Sequence, residues 1–344
     1  MLSVLVDLSI LRHPYCGLGQ VALNYGRWYA AHACDYADRA AVTLLVPKAF
    51  VGAFGEEVRY LVAQDVYRWL PWLMPRYDVW HSIHQLSPFR PSGRTVRRIL
   101  TIHDVNFMYE KAPQKRQRYL RRLQHEVDAA AHIAFISRFA QSDAARYLDF
   151  GSKSQSVIYN GVENLTVGEQ SPVDVPMGTR RFFLAMGVVK TKKNLHVLLP
   201  LMRRMPDYML LIAGNDCDPY AEKLRREMPD NVVLLGTVTD SQRRWLYAHC
   251  AALLFPSLCE GFGLPLVEAM QWGKPVFAST ATSIPEIGGD HAFYFNDFHP
   301  DAMERVVRQG LQAFDDDRAS RAADYARSFS YHRNLSLYWD IFLQ

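Results

Sequence analysis

Two carboxylates, Glu260 and Glu268, lie eight residues apart in one glycine-rich run of the sequence. Between them, Gly261 and Gly263 allow the backbone to come close to a ligand, and Pro265 suits the first turn of a helix. A helix that begins here presents main-chain amides and the positive end of its dipole, which bind anions such as a diphosphate. The two carboxylates could then accept hydrogen bonds from sugar or ribose hydroxyls. The alternative is an ordinary helix start with an acidic first turn.

A second candidate for anion binding precedes this run in the sequence. An apolar stretch ends at Gly187, and Lys192, Lys193 and Asn194 follow shortly after it. Two ammonium groups beside a glycine would neutralise a diphosphate that is bound by the first run. The alternative interpretation is a solvated helix start that carries two lysines.

The first half of the chain contains one strong histidine candidate. His103 and Asp104 follow the apolar stretch 99–102, at the point where a strand would end. Open α/β sheets bind ligands outside the carboxyl ends of their strands, so His103 is the best candidate for chemistry in this half. A lone histidine at a strand end is more often a structural residue, and this is the alternative.

Three further patterns are weaker. Gly17-Leu18-Gly19 opens a G-x-G-x-x-A sequence, but about eight residues separate it from the first apolar stretch, whereas a dinucleotide fingerprint follows its strand directly. Asp216-x-Asp218 precedes a proline and is typical of a turn rather than of a metal site. The five cysteines are scattered, which favours a reduced chain. The sequence therefore predicts neither a nicotinamide cofactor nor a required metal ion.

The composition is that of ordinary globular domains. The chain has 344 residues, of which 49% are apolar and 22% are charged, and its net charge is +4. These values disfavour disordered, collagen-like and disulfide-scaffold proteins. At about 150 residues per domain, the length predicts two domains. No stretch is long and apolar enough to predict a membrane span.

Short apolar stretches alternate with longer amphipathic ones along the chain. Their uniform apolarity is typical of parallel strands that helices cover on both faces. The stretches are 2–6, 42–46, 99–102, 133–136, 182–186, 209–213, 232–235, 251–255 and 275–278. Between residues 162 and 179 this pattern gives way to glycines and prolines, which predicts a linker between two doubly wound α/β domains.

The glycine-rich run and the basic loop both match one known family. Residues 257–270 resemble the E-x7-E signature of the retaining glycosyltransferases of family 4, also called glycosyl transferases group 1. Residues 187–194 are similar to the G-x-x-x-x-R-K-N loop of that family, whose basic residues hold the donor diphosphate. Lys192 replaces the usual arginine, which keeps the charge and loses a bidentate fork. Val188 stands where many members carry another arginine.

Further segments match the same family in order along the chain. Residues 101–107 are similar to its H-D segment, in which the histidine lies by the transferred sugar, and residues 157–162 to its V-I-x-N-G-V segment. The resemblance spans roughly residues 1–300 and includes a general similarity to bacterial polysaccharide mannosyltransferases. It implies the glycosyltransferase-B fold, an α/β architecture of two Rossmann-like domains that face each other across a cleft.

The resemblance also implies an order of domains. We expect an N-terminal acceptor domain over residues 1–164 and a linker over 165–178. A C-terminal donor domain is expected over 179–328. A final helix over 329–344 is expected to return to the first domain.

The activity that the resemblance implies is transfer of a sugar from a nucleoside diphosphate sugar to a hydroxyl of a glycan or lipid-linked glycan. GDP-mannose is the favoured donor over UDP- and dTDP-sugars, and the anomeric configuration is retained without a required metal or other cofactor. The alternatives are a sugar-nucleotide epimerase and a non-catalytic sugar-nucleotide-binding protein on the same fold.

The resemblance implies three groups of site residues. The catalytic candidates are His103, Glu260 and Lys193. The donor-binding candidates are Gly17, Gly19, Lys192, Lys193, Thr237, Val238, Glu260, Gly261, Phe262, Gly263, Leu264 and Glu268. The acceptor-side candidates are Asp104, Ser137 and Arg138.

Basic residues are concentrated in one stretch of the first half. Residues 90–122 contain ten Lys and Arg against two acidic residues. Tyr119, Leu120 and Leu123 lie among these charges, which predicts an amphipathic helix suited to an anionic bilayer surface. The residues predicted to face the membrane are Arg118, Arg121 and Arg122. The alternative is a solvated helix face, and the absence of a nucleic-acid motif disfavours RNA. The expected location is the cytoplasm, peripherally on the inner face of the cell membrane.

Overall fold

The computed structural model of the protein describes residues 1–14, 17–91, 96–175, 178 and 180–344. These residues form two compact units. Unit 1 comprises Met1–Gly161 and Tyr331–Gln344, and unit 2 comprises Val162–Ser330. Cys16 and Arg94, which entered the counts above, lie outside the described residues.

Each unit is built on one parallel sheet. In chain order the strands are β1 (Leu2–Asp7), β2 (Ala40–Val46), β3 (Arg59–Val62), β4 (Val79–Ser82), β5 (Arg97–Ile102), β6 (His132–Phe135), β7 (Ser154–Val157), β8 (Arg181–Met186), β9 (Tyr208–Ala213), β10 (Val232–Gly236), β11 (Ala252–Phe255), β12 (Val276–Ser279) and β13 (Phe293–Phe295).

Helices connect these strands and cover both sheets. In chain order they are α1 (Gly17–Ala31), α2 (Val66–Trp69), α3 (Phe107–Glu110), α4 (Pro113–Ala129), α5 (Arg138–Ala144), α6 (Leu198–Arg204), α7 (Pro219–Glu227), α8 (Asp240–His249), α9 (Leu264–Gln271), α10 (Ile284–Gly288), α11 (Pro300–Ala313), α12 (Asp316–Arg327) and α13 (Tyr331–Leu343).

The two sheets share one winding pattern. Among the described residues, the sheet of unit 1 has the order β3-β2-β1-β4-β5-β6-β7, and that of unit 2 has the order β10-β9-β8-β11-β12-β13. The paired strands are parallel throughout, with Leu5 opposite both Thr43 and Trp80 in unit 1. Central strands such as β1 and β11 are buried because helices pack on both faces. Parallel strands end at a common edge of each sheet, where this fold class binds ligands.

The nine predicted strands are all present, and four further strands escaped the sequence analysis. Three of these, β3, β7 and β13, are edge strands of three or four residues. β7 has the sequence Ser-Gln-Ser-Val and therefore carries no apolar run. The fourth, β4, is buried in the middle of its sheet, but its four residues include a histidine and a serine.

The boundary region between the units packs largely with unit 2. Leu165 is buried, and its main-chain N–H donates to the Gln271 side chain at 3.0 Å. The N–H of Ser171 donates to the Ser241 carbonyl at 3.2 Å. Most of the stretch that was predicted as a linker, 165–178, is therefore attached to the second unit, although residues 176 and 177 lie outside the described residues.

The last helix, α13, belongs to unit 1. Its Tyr338 hydroxyl lies 2.9 Å from Thr101 Oγ1 in β5, and its ring packs against Tyr25 of α1. Arg97 of β5 donates a hydrogen bond to the main-chain carbonyl of Phe342.

Candidate functional site

The glycine-rich run forms a tight turn between β11 and α9. Gly263 is the N-cap of α9 and has φ of 103°, a left-handed conformation that favours glycine. Pro265 occupies the first turn, where its missing N–H breaks no intrahelical bond. Gly261 and Phe262 are buried below the turn, and Leu264 is half-buried. α9 therefore begins with main-chain amides and the positive end of its dipole at the carboxyl end of β11, an arrangement that binds anions.

Glu260 shares one carboxylate oxygen between two donors. Its Oε1 lies 2.5 Å from Lys193 Nζ and accepts a hydrogen bond from Ser257 Oγ at 2.6 Å. The Lys193 and Glu260 side chains are each 13% exposed. Lys193 Nζ also lies 5.0 Å from the centroid of the Phe255 ring, which adds a cation–π contact. A partly desolvated ion pair is thus held at the start of the turn.

The basic loop and the glycine-rich turn are joined through their main chains. Lys192 and Lys193 lie in a short 3-10 helix after β8 that ends at Asn194 in a left-handed conformation. The Lys192 carbonyl accepts hydrogen bonds from Leu258 N at 2.8 Å and from Ser257 Oγ at 3.2 Å. The two segments that carry the sequence motifs therefore form one structural element of unit 2.

Two glycines pack closely where β8 and β9 end, and one of them borders the Lys193 side chain. Gly187 and Gly214 have φ of 131° and 146° at the ends of β8 and β9. A Cβ on Gly214 would lie 2.1 Å from the Gly187 carbonyl oxygen, so only glycine fits there. A Cβ on Gly187 would lie 3.3 Å from Lys193 Nζ. Val188, in the place of the family's arginine, is half-buried.

Three hydroxyls at and after the end of β12 hold the glycine-rich turn. Ser283 Oγ donates to the carbonyls of Glu260 and Phe262 at 3.0 and 3.1 Å, and Thr282 Oγ1 accepts the Glu260 N–H at 3.0 Å. Ser279 Oγ donates to the Ser257 carbonyl. Thr282 adopts φ of 55°, an unfavourable conformation for a β-branched residue. The sequence analysis gave these residues no role in the site, and the available signal was a cluster of Ser and Thr after an apolar run.

Glu268, the second carboxylate of the pair, is buried in α9. Its Oε1 pairs with the Arg243 guanidinium of α8, and its Oε2 accepts a hydrogen bond from the Tyr247 hydroxyl at 2.6 Å. Burial lowers the pKa of Arg243, but the Glu268 carboxylate more than offsets this, so the pKa is raised. Burial and the same carboxylate raise the pKa of Tyr247. Sequence reasoning missed both partners, and their i,i+4 spacing on one helix face was the available signal.

Thr237 and Val238, two of the predicted donor-binding residues, lie in the loop between β10 and α8. They follow the carboxyl end of β10, and α8 begins two residues later with a capping box of Thr239 and Gln242. Thr237 is exposed and Val238 is half-buried. Their placement beside the other carboxyl-end loops of this sheet follows from the parallel strand order.

The Asp216-x-Asp218 sequence forms the turn that its proline predicted. Asp218 is the N-cap of α7, and its Oδ1 accepts the Tyr220 N–H at 3.0 Å. Asp216 pairs with Arg225. Within the described ranges, no cluster of three or more His, Cys, Asp or Glu residues is arranged to hold a metal ion.

In unit 1, His103 follows β5 and is buried. Its Nε2 lies 2.7 Å from the Ile83 carbonyl oxygen, which can only accept, so Nε2 carries the proton and Nδ1 is an acceptor. Burial lowers the pKa of His103 to about 4, against the smaller opposing effect of that hydrogen bond. His103 is therefore neutral at pH 7. The adjacent Asp104 is half-buried, and its Oδ1 accepts the Asn106 N–H at 2.9 Å.

Two further histidines of unit 1 are held in the neutral form. His81 is fully buried in β4, and its Nε2 lies 2.9 Å from Thr101 Oγ1, which contacts the Tyr338 hydroxyl. Burial lowers the pKa of His81 to about 3. Burial lowers the pKa of His84 to about 4. These side chains belong to the polar interior of the unit.

The acceptor-side and glycine-loop candidates of unit 1 have mixed surroundings. Ser137 is the buried N-cap of α5, and its Oγ accepts the Ala140 N–H at 3.0 Å, while Arg138 is exposed. Gly17 begins α1 and faces open space. A Cβ on Gly19 would lie 2.3 Å from the main-chain oxygen of residue 13, so this glycine allows close packing of α1.

The basic helix predicted to contact a membrane corresponds to α4, and its apolar face packs inward. Leu123 is fully buried, and Tyr119 and Leu120 pack against the same core cluster of unit 1. Arg118 and Arg121 are exposed, whereas the Arg122 guanidinium is half-buried. Arg122 donates to the carbonyls of Leu86 and Ser87 at 2.9 and 2.8 Å. The apolar side of α4 therefore stabilises the unit and is not available for insertion into a bilayer.

Solved structures share the fold of this chain, as two examples show. Anabaena Alr3699/HepE, solved in complex with UDP and glucose, has a TM-score of 0.74 with 19% identity over 100% of both chains. The lipopolysaccharide outer core galactosyltransferase WaaB, in its apo form, has a TM-score of 0.66 with 16% identity over 99% of both chains. The two doubly wound units thus define the glycosyltransferase-B class, and the predicted fold is confirmed.

Residues 169–329 match the model of the family described as glycosyl transferases group 1. Unit 2 is therefore similar to this family over nearly its whole length, and the predicted resemblance is confirmed. The chain is 28% identical to the O-antigen chain mannosyltransferase B of Escherichia coli over 96% of both chains. It is 27% identical to the O-antigen chain mannosyltransferase RfbU of Salmonella typhimurium over 67% of this chain and 65% of that protein.

In the part of the chain that the structure describes, every helix is too short or too polar to cross a bilayer.

Proposed function

We propose that this protein transfers a hexosyl group, with retention of configuration, from a nucleoside diphosphate sugar to a hydroxyl of a glycan or lipid-linked glycan. The product would be a cell-surface polysaccharide. One observation carries the proposal: the Lys193–Glu260 pair joins the basic loop to the glycine-rich turn at the start of α9. Cations, main-chain amides and a carboxylate are thereby brought together, which suits a ligand that combines a diphosphate with a sugar.

GDP-mannose is the proposed donor. The support is the similarity to two O-antigen chain mannosyltransferases, one of which aligns with nearly the whole chain. UDP-sugars are the competing donors, because the Anabaena protein of the same fold was solved with UDP.

The proposed source of catalysis is stabilisation of the leaving diphosphate. Lys192 and Lys193 would supply positive charge, and the amides of Gly263 and Leu264 would donate hydrogen bonds at the positive end of the α9 dipole. These groups would provide the charge stabilisation that a metal ion provides in other transferases. We therefore infer that no metal is required.

The remaining side chains would position the donor. Both protein donors to Glu260 use Oε1, so Oε2 would bind the hydroxyls of the transferred sugar. Glu268 would bind the ribose with the lone pairs that Arg243 and Tyr247 leave available. Thr237 and Val238 would contact the base through their main chain.

On the acceptor side, we propose that His103 contacts the transferred sugar. As a neutral imidazole with Nε2 protonated, His103 would accept a hydrogen bond at Nδ1 from a hydroxyl of the sugar. Asp104, Ser137 and Arg138 are the proposed acceptor-side residues.

We infer a front-face route for the transfer. The bond from the anomeric carbon to the diphosphate oxygen breaks, and the acceptor oxygen attacks the same face. The acceptor proton passes to the leaving diphosphate oxygen. Configuration is then retained without a covalent sugar–enzyme intermediate.

The test is a thermal-shift screen against GDP-, UDP- and dTDP-sugars, followed by transfer assays with the donor that binds. A donor with micromolar affinity at millimolar concentration stabilises the fold by about 4 kcal/mol. Lys193→Ala should abolish most of this shift, whereas Lys223→Ala, an exposed lysine of α7, should not. A shift that survives Lys193→Ala, or isomerised donor without any glycoside product, would refute the proposal.

A further inference from the structure

The largest exposed aromatic side chains of unit 1 lie together in one short segment. Trp69, Trp72 and Leu73 are 78%, 66% and 52% exposed, and Val66 is exposed beside them. We call residues 66–73, which comprise α2 and the following 3-10 helix, the tryptophan segment. The other tryptophans of the chain are buried or half-buried. Exposed apolar side chains that cluster in this way mark an interaction surface.

The tryptophan segment is firmly attached to unit 1. Two side chains anchor the segment. Tyr67, which lies within it, and Met74, which directly follows it, pack in a core cluster that contains Phe89 and Trp80. The main-chain N–H of Leu70 donates to the Val66 carbonyl at 2.8 Å. The fold therefore holds the two tryptophans on the outside while neighbouring side chains of the same segment face the core.

Positive charge borders the tryptophan segment. Arg68 is exposed within it and pairs with Asp65, which also pairs with Arg12 at 3.0 Å. The Arg12 guanidinium lies 5.8 Å from the ring centroid of Phe89. The loop that leads to Phe89 accepts the hydrogen bonds of Arg122, so this contact chain connects the segment to α4.

The exposed face of α4 extends this positive region. Lys115 and Arg118 precede Arg122 at helical spacings that place them on one side of α4, and Arg121 is exposed next to them. The positive charges of Arg90 and Arg68 add to burial in lowering the pKa of Arg122, as expected if these cations lie near one another. Unit 1 as a whole carries 21 Lys and Arg against 14 Asp and Glu.

We propose that the tryptophan segment docks unit 1 on the surface of an anionic phospholipid bilayer. Tryptophan is enriched at the membrane–water interface, where its ring is among lipid chains and its N–H is in the headgroup layer. The arginines and lysines beside it then meet anionic headgroups. Two copies of this chain would bring like charges together at the same surface, so charge favours the bilayer over a second copy. Docking goes beyond the transfer reaction, and its test needs no donor.

Vesicle flotation with the full chain tests the docking. Wild type should bind vesicles of phosphatidylglycerol and phosphatidylcholine and bind pure phosphatidylcholine weakly, with affinity that falls as salt rises. Trp69→Ala with Trp72→Ala should lower the affinity for anionic vesicles about tenfold or more. Leu337→Ala, an exposed apolar residue of α13, is the matched control and should bind as wild type does. The replaced side chains are exposed, so circular dichroism should show the same fold in all three proteins.

Brominated lipid provides a second, site-specific measurement. Bromine on the lipid chains should quench part of the tryptophan emission of wild type. It should quench none in Trp69→Phe with Trp72→Phe, because the remaining tryptophans are buried or half-buried. Equal vesicle binding by wild type and the alanine double variant would overturn the proposal. So would a wild-type dimer in sedimentation that this variant loses while its vesicle binding is unchanged.

Discussion

The two units wind their sheets in the same strand order but fill the carboxyl ends of those sheets with opposite chemistry. Unit 2 has two ion pairs near the carboxyl ends of its strands. Lys193 pairs with Glu260, and Arg243 pairs with Glu268. Unit 1 instead buries histidines whose pKa values burial lowers to about 4 or below, including His103 and His81. One winding pattern thus supports buried ion pairs near these strand ends in unit 2 and neutral histidines there in unit 1.

The difference shows what the shared winding leaves undetermined. Strand order fixes where loops converge, whereas the side chains in those loops fix the charge that the site can hold. A charged set suits an anionic ligand, and a neutral histidine suits hydroxyls. This contrast is the division between donor and acceptor that we propose, and the following experiments probe it.

The largest expected effect is a loss of stability in acid that is concentrated in unit 1. The pKa values of His81, His84 and His103 lie below the unfolded value of 6.5. The unfolded chain therefore binds protons first, and stability is lost as the pH falls from about 6.5 towards 4. At pH 5 the loss is about 2 kcal/mol for each histidine, or several kcal/mol together.

Hydrogen exchange followed by mass spectrometry from pH 7 to pH 5 measures this effect in each unit separately. Amides of β4 and β5 should lose protection before those of β8 and β11. His84→Asn should flatten the pH dependence of unit 1, because one titrating group is removed. Simultaneous loss of protection in both units would contradict the comparison.

The next effect concerns the buried pair of unit 2. Glu268→Ala leaves the Arg243 guanidinium and the Tyr247 hydroxyl without their acceptor, and should lower the free energy of unfolding by about 3–5 kcal/mol. Urea denaturation measures the change. Glu227→Ala, on the exposed side of α7, should change the free energy by less than about 0.5 kcal/mol. An equally small effect of Glu268→Ala would show that the pair is not part of the stable interior.

Neutralising the other carboxylate should act on turnover rather than on folding. Glu260→Gln keeps the size of the side chain but weakens the contact with Lys193 and any contact with the sugar. We expect kcat to fall about 100-fold or more. Initial-rate kinetics with the donor found by the screen measure it, and Glu227→Gln is the matched control. A change in KM alone would assign Glu260 to uniform binding of the donor.

The smallest expected effect tests the hydroxyls that hold the glycine-rich turn. Ser283→Ala removes a hydroxyl whose single proton is shared between two carbonyls of the turn, and should lower the free energy of unfolding by about 1–3 kcal/mol. Transfer should fall about tenfold, because the turn that presents Glu260 loosens. Ser142→Ala removes a comparable bond at the surface of α5 and should change neither quantity. Unchanged kcat in Ser283→Ala would confine the hydroxyls to a structural role.

The sequence predicts features that depend on neighbouring residues in the chain. Apolar runs predict the buried strands, and the glycines and the proline predict the turn before α9. The partners of Glu268 were not predictable in this way, because Arg243 and Tyr247 reach it from another helix. The inward packing of α4 was not predictable for a related reason: its apolar side chains fit a bilayer or a protein core equally well, and only the packing of Leu123 decides between them.

The membership of α13 in unit 1 has a consequence for the order of assembly during translation. Unit 2 is continuous in the chain and is complete once residue 330 has been synthesised. Residues 1–161 of unit 1 are synthesised before unit 2, yet the contacts of Tyr25 and Thr101 with Tyr338 can form only after α13 has been synthesised, later than unit 2. Unit 1 is therefore started before unit 2 and completed after it, and a chain that stalls before α13 carries an incomplete unit 1 and a complete unit 2.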